Sequence, residues 1–170
     1  MKTLSVTEAS KVEKSLSPSD LAVIKAKWKQ AFNGSITGEQ DRRNAKKYSR
    51  AEINEMISLF EQSPPSKNRA YYHKMNKFDV KSSFLDGKEI KHLLHEGNVQ
   101  NASDASSKLV CATEDIFDVI YASHSSLGHR AIAATHNDLK KKYWNITESQ
   151  VKVFIDKCYF CQLGRDRVAT

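Results

Sequence analysis

The feature that most constrains this chain is a set of four nitrogen and sulfur donors towards its C-terminal end: His124 and His129, then Cys158 and Cys161. Two histidines and a Cys-x-x-Cys pair make up the tetrahedral set that a structural Zn²⁺ prefers. Their order, His-His before Cys-Cys, reverses the common finger pattern and has a longer spacer. Helix geometry restricts how the four can meet. The stretch from Thr113 carries Phe117, Ile120 and Tyr121 on one apolar face, and His124 continues that stripe at helical spacing. From Glu148, residues Val151, Phe154 and Ile155 make a second stripe, which Cys158 extends. His124 and His129 cannot share an ion on one unbroken helix, because five residues at about 100° each put them on different faces. The helix must therefore break over Ser125 to Gly128, and Gly128 suits a left-handed C-terminal turn. His136 is a rival to His129, but seven residues along a helix is about 10 Å, so both cannot bind one ion. His136 falls in an apolar stripe and reads as a packed core histidine. Four protein ligands leave no open position for water, so the expected role is one structural Zn²⁺ rather than a catalytic one.

Composition narrows the setting. A chain of 170 residues is one domain, or one domain with a tail. Hydrophobic residues make up 39%, a modest core that a metal staple would help. No apolar run is long enough to span a bilayer, and Met1 to Ser5 lacks the apolar region of a signal peptide, so an intracellular protein with no membrane role is expected. Three cysteines in a reducing compartment do not read as disulfides; Cys111, inside an apolar stretch, reads as a small buried residue. The net charge of +7 is unevenly placed. Residues 1–50 hold 11 Lys and Arg against 5 Asp and Glu, whereas residues 51–170 hold 16 against 15. Arg42, Arg43, Lys46, Lys47 and Arg50, with Lys25, Lys27 and Lys29 nearby, are the candidates for phosphate contacts or for nuclear targeting. The competing reading is a solvated basic linker.

Along the chain, residues 1–16 show no periodicity and are expected to be a disordered tail. Residues 17–66 read as a helical region with the basic linker inside it. Ser17-Pro18-Ser19-Asp20 starts one helix, with Leu21, Ile24, Trp28, Ala31 and Phe32 as its stripe and Asn33-Gly34 as its stop. Ser49 and Glu52 form a capping box ahead of Ile53, Met56, Ile57 and Phe60. Pro64-Pro65 ends that helix. Residues 67–112 read as a small α+β segment. It holds a helix over Asn68 to Phe78, a hairpin around Asp86-Gly87, a short helix with Ile90, Leu93 and Leu94, and a strand at Leu109 to Cys111. Residues 113–164 carry three helices, opened by Thr113, Arg130 and the Thr147/Gln150 capping box. The fold class is therefore mainly α: three helices at the C-terminal end, preceded by amphipathic helices and a small β-hairpin. Tyr71, Tyr72 and Trp144 read as core, and His73, His92 and His95 have no companion ligand pattern.

Residues 113–164 resemble the His-His-Cys-Cys zinc-binding domain that precedes the catalytic core of retroviral and gypsy-type retrotransposon integrases. The residues that carry the likeness are His124, Leu127-Gly128-His129, Thr135, Leu139, Tyr143-Trp144, Val151, Phe154 and Cys158 to Gln162. Ala131 stands where that family usually has glycine, and Asn145-Ile146-Thr147 where Pro-Gly often follows the Tyr-Trp. With Asp115 to Ile120 upstream, this variant looks closer to host-gene relatives resembling KRAB-A-domain proteins. The resemblance implies that His124, His129, Cys158 and Cys161 bind the zinc and that the ion ties three helices together. It also implies roles in multimerisation and in holding DNA ends. The family's strand-transfer core uses three carboxylates in a domain after the Cys-x-x-Cys. Here nine residues follow Cys161, with Asp166 their only acid. The expectation is thus a nuclear, integrase-derived module without catalytic residues or small-molecule substrate, partnered by DNA or chromatin and by another protein or copy of itself. Two alternatives stand beside it: a pure protein-interaction module with no DNA role, and the N-terminal fragment of an active integrase polyprotein.

Overall fold

The computed structural model describes residues 6–36, 47–62, 75–96 and 107–166. They form seven α-helices and one three-stranded antiparallel sheet of order β1-β2-β3. The helices are α1 (Val6–Ser15), α2 (Pro18–Ile36), α3 (Arg50–Glu61), α4 (Ile116–Ser126), α5 (Ile132–Lys142), α6 (Glu148–Asp156) and α7 (Tyr159–Asp166). The strands are β1 (Phe78–Leu85), β2 (Lys88–His95) and β3 (Lys108–Leu109). The chain divides into two compact units that interleave in sequence. One comprises Met1–Ala45, Asp115–Lys140 and Ile146–Thr170; the other comprises Lys46–Glu114 and Lys141–Asn145. The expected segmentation at residues 16, 66 and 112 follows the chain, whereas the compact units do not.

The first unit is a helical bundle around an aromatic cluster. Trp28 and Phe32 on α2 pack with Phe117 on α4 and Phe154 on α6, with centroid separations of 4.3–5.8 Å. Phe32, Ile120, Val151 and Phe154 are fully buried. The Trp28 indole Nε1 donates to the Phe154 carbonyl at 3.1 Å, so its one polar group is satisfied inside the core. Three sequence expectations are corrected in this unit. Residues 6–15, expected to be disordered, form α1. A ten-residue helix without an apolar stripe is too short to stand alone in water, and α1 is held instead by burying Ala9 and Glu13 and packing on α7. The second correction concerns α2, which runs through the expected Asn33-Gly34 stop to Ile36. Ile36 is buried one turn after Phe32, and that burial outweighs the roughly 1 kcal/mol helix penalty of a glycine. Ala31, placed in the stripe by sequence, is exposed.

The second unit packs α3 against the sheet. Ile53, Met56 and Ile57 of α3 meet Met75, Phe78, Leu93, Val110 and Ala112, with Tyr48 and Trp144 at the edge. The Ser49/Glu52 capping box forms as the sequence predicts. Asp86 and Gly87 both take positive φ, 50° and 75°, the geometry of a two-residue type I′ turn. That turn sets the register from Leu85↔Lys88 to Phe78↔His95. The short helix expected at Ile90, Leu93 and Leu94 is therefore strand β2, because eight residues zip against β1 once the turn is fixed. Phe78 opens β1, and the rest of the helix expected from Asn68 lies, but for its last turn, outside the described residues. Thr113 does not cap α4. Its backbone N–H and hydroxyl both donate to the Tyr48 carbonyl, and a 3₁₀ turn, Thr113–Asp115, precedes the helix. Asn145 binds the Cys111 backbone on both sides: its Oδ1 accepts from Cys111 N and its Nδ2 donates to Cys111 O, each at 2.8 Å.

Candidate metal centre

The four donors named by the sequence converge within the helical unit. His124 is the last-turn residue of α4 and is fully buried. The chain then leaves the helix through two consecutive left-handed residues, Gly128 at φ 71° and His129 at φ 62°. Gly128 N donates to Ser125 O and His129 N to His124 O, both at 2.9 Å, which closes the helix end. Gly128 takes this conformation without penalty. His129 pays about 1–2 kcal/mol for it, and the strain turns its ring back towards His124, 4.8 Å away between centroids. On the other side, α6 ends at Asp156, and Cys158 lies in the turn that leads into α7. Cys161 sits on α7, a fourth helix of this segment that the three-helix expectation does not contain.

The donor atoms of His124, His129, Cys158 and Cys161 all lie within 4.8 Å of one another. His124 turns Nε2 to the Cys161 sulfur at 3.4 Å, and His129 turns Nδ1 to the Cys158 sulfur at 3.6 Å. With zinc–sulfur and zinc–nitrogen bonds of about 2.3 and 2.0–2.1 Å, a tetrahedral N···S edge is about 3.6 Å. Two edges of the cluster already have that length, so the residues fit a tetrahedral ion of this size. Each imidazole also has its second nitrogen engaged. His124 Nδ1 lies 3.3 Å from the buried Thr135 hydroxyl, and His129 Nε2 lies 3.0 Å from the Glu13 carboxylate. Those partners fix which nitrogen faces the sulfurs.

The electrostatics suit a cation. The Cys158 thiol is pushed up by its hydrogen bond to Cys161 and by burial. The Cys161 thiol is held down first by Cys158 and then, against burial, by His124 and His129. Such a pair gives up its remaining proton when a divalent ion binds. Burial alone would raise the Glu13 carboxyl, but hydrogen bonds with His129, Tyr121 and Ser125 bring it down to about 2. Glu13 is the residue that sequence reasoning missed. It lies 116 residues from His129 in a segment without periodicity, and no local signal marks it.

The other sequence candidates separate from this centre. His136 is half-buried and stands outside the donor cluster. Of the basic candidates, Arg42, Arg43 and Lys46 lie outside the described residues, while Lys47 is half-buried and Arg50 is exposed at the start of α3. Two of the neighbouring lysines have partners within the helical unit. Lys25 lies 3.8 Å over the Tyr121 ring, and Lys29 pairs with Asp118 at 2.6 Å. Cys111 is buried, as expected, and burial raises its thiol to about 12 despite the Arg50 charge. His92 bonds the Ser83 hydroxyl at 2.8 Å, and His95 stacks on Trp144 at 3.7 Å.

Comparison with known families agrees with the geometry. Residues 113–167 match the family model described as the integrase zinc binding domain. No solved structure matches the chain. Among the described residues, no helix is long and apolar enough to cross a membrane.

Proposed function

We propose that this protein is an integrase-derived module in which one structural Zn²⁺, held by His124, His129, Cys158 and Cys161, rigidifies a helical platform for DNA association and assembly in the nucleus. The observation that carries the reading is the convergence of four soft and borderline donors inside the segment that matches the integrase zinc binding domain. Bound there, the ion would tie the end of α4 to the α6–α7 turn and supply no open position for chemistry. Nucleic-acid contact would come from the basic N-terminal third, through Arg42, Arg43, Lys46, Lys47 and Arg50.

Purified protein is expected to carry one Zn²⁺ per chain and to lose helicity on chelation, because ligation and folding are coupled. A metal-free chain with unchanged circular dichroism sinks the metal part of the reading. DNA binding should weaken steeply with salt and vanish when Arg42, Arg43, Lys46 and Lys47 are neutralised. Absence of binding at low salt removes the DNA role and leaves the second reading, a protein-interaction or self-assembly module. The near balance of charge over residues 51–170 favours that alternative for the metal-bearing part. Sedimentation of the zinc-loaded chain tests assembly separately.

A further inference from the structure

Among the described residues, the donor cluster has one hydrogen-bond partner outside the segment that the family comparison covers. Glu13, on α1, is 7% exposed and points both carboxylate oxygens into the helical unit. Its Oε1 accepts from the Tyr121 hydroxyl, and its Oε2 accepts from Ser125 Oγ at 2.7 Å and from His129 Nε2 at 3.0 Å. A buried carboxylate is costly unless its oxygens are satisfied, and here all three donors come from α4 and the turn after it. Ala9, one turn before Glu13 on α1, is buried on the same side, and α1 packs on α7, the helix that carries Cys161.

We propose that Glu13 is an outer-sphere positioning residue for the ligand His129, so that the metal-binding module of this chain includes α1. The proposal rests on the zinc reading of the site. When His129 Nδ1 faces the ion, Nε2 must carry a proton, and Glu13 is the acceptor that receives it. The bond fixes the tautomer, holds the ring's orientation and makes Nδ1 a stronger donor. The two histidines are thereby unequal. His124 is backed by a neutral hydroxyl, Thr135, and His129 by a full negative charge. The centre then reads whether α1 is docked, a dependence that residues 113–167 alone do not contain.

The test uses the full chain. Zn²⁺ affinity is measured by competition with a chromophoric chelator, and Co²⁺ replaces Zn²⁺ to report the ligand field in its visible bands. Glu13→Gln is expected to weaken Zn²⁺ binding about 10- to 100-fold and to shift the Co²⁺ bands. Ile116→Val, which trims a buried side chain about 12 Å along α4 from His124, is expected to lower the melting temperature and leave the Co²⁺ spectrum unchanged. Glu13→Gln with wild-type affinity and spectrum would overturn the proposal. So would Ile116→Val producing the same spectral change, since the effect would then be packing. If Glu13→Gln does not fold, nitrogen-detected NMR of the wild-type Zn²⁺ form decides. A slowly exchanging, downfield Nε2–H on His129 supports the proposal, and an unprotonated or freely exchanging Nε2 overturns it. A wild-type chain that takes up no Zn²⁺ overturns the metal reading itself, and this proposal with it.

Discussion

Thr135 offers the sharpest single-atom perturbation of the centre. It is fully buried on α5, its Oγ1 lies 3.3 Å from His124 Nδ1, and its hydroxyl faces the Arg130 carbonyl at 3.5 Å. With an ion bound at His124 Nε2, Nδ1 would carry the proton and donate to Thr135. Thr135→Val keeps the shape and replaces the acceptor with a methyl group. The Nδ1–H is then buried without a partner, which costs about 1–3 kcal/mol. The Arg130 carbonyl adds little, because at 3.5 Å its bond is already weak. If the cost falls on the metal-bound form, Zn²⁺ affinity drops by about 5- to 150-fold, at 1.4 kcal/mol per decade. Thr135→Ser keeps the hydroxyl and loses one methyl. It should hold affinity near the wild-type value while lowering stability by about 1 kcal/mol. Chelator competition at fixed pH gives the affinities, and thermal denaturation of the loaded forms gives the stabilities. Wild-type affinity in Thr135→Val refutes the reasoning, as does Thr135→Ser binding as poorly as Thr135→Val, for then the methyl and not the hydroxyl matters.

Three further outcomes follow from named contacts. Phe32→Ala removes a fully buried ring from the aromatic cluster and should cost about 3–5 kcal/mol; urea denaturation followed by Trp28 fluorescence reads the loss, and a change under 1 kcal/mol on that scale contradicts the packing described. Gly87→Ala places a side chain at φ 75° in open space, so only backbone strain of about 1–2 kcal/mol is expected in the melting of the hairpin unit, and an unchanged melting temperature argues against the type I′ turn. Burial raises the folded Cys111 thiol to about 12 from 9.0, so its contribution to stability is whole below pH 9 and falls by up to about 1.4 kcal/mol per pH unit above it. The wild-type minus Cys111→Ala difference in stability should therefore decline between pH 9 and 12, and a flat difference counts against deep burial of the thiol.

The convergence of the four donors was legible because its signal is local and chemical. Helix phasing places His124 and Cys158 on buried faces, and a glycine allows the break between the histidines; each ligand pair thus carries its own geometric argument. The second left-handed residue, His129, leaves no trace in the sequence, since histidine rarely takes that conformation. Capping boxes at Ser49/Glu52 and Thr147/Gln150 were equally readable, being short-range exchanges of hydrogen bonds. What stayed hidden depends on distant partners. The helix α1 has no stripe of its own, and its order comes from Glu13 meeting residues more than a hundred positions away and from packing on α7. Ile90, Leu93 and Leu94 fit either period, and only pairing with β1 decides for a strand. The interleaving of the two units is likewise set by contacts that no window of sequence spans.

Phe154 shows why α2 belongs with the metal centre rather than beside it. Its ring packs edge-on to His124 at 5.8 Å and lies 4.3 Å from Trp28, while its carbonyl accepts the Trp28 indole. That carbonyl is in the last turn of α6, which delivers Cys158 four residues later. One aromatic residue therefore touches a candidate nitrogen donor with its side chain and, through its carbonyl, anchors to α2 the helix end that precedes a candidate sulfur donor. An ion gains most from ligands already held near their bound geometry, because the ordering entropy is spent before it arrives. On this argument α1 orients one histidine through Glu13, and α2 stabilises the wall against which the other histidine rests.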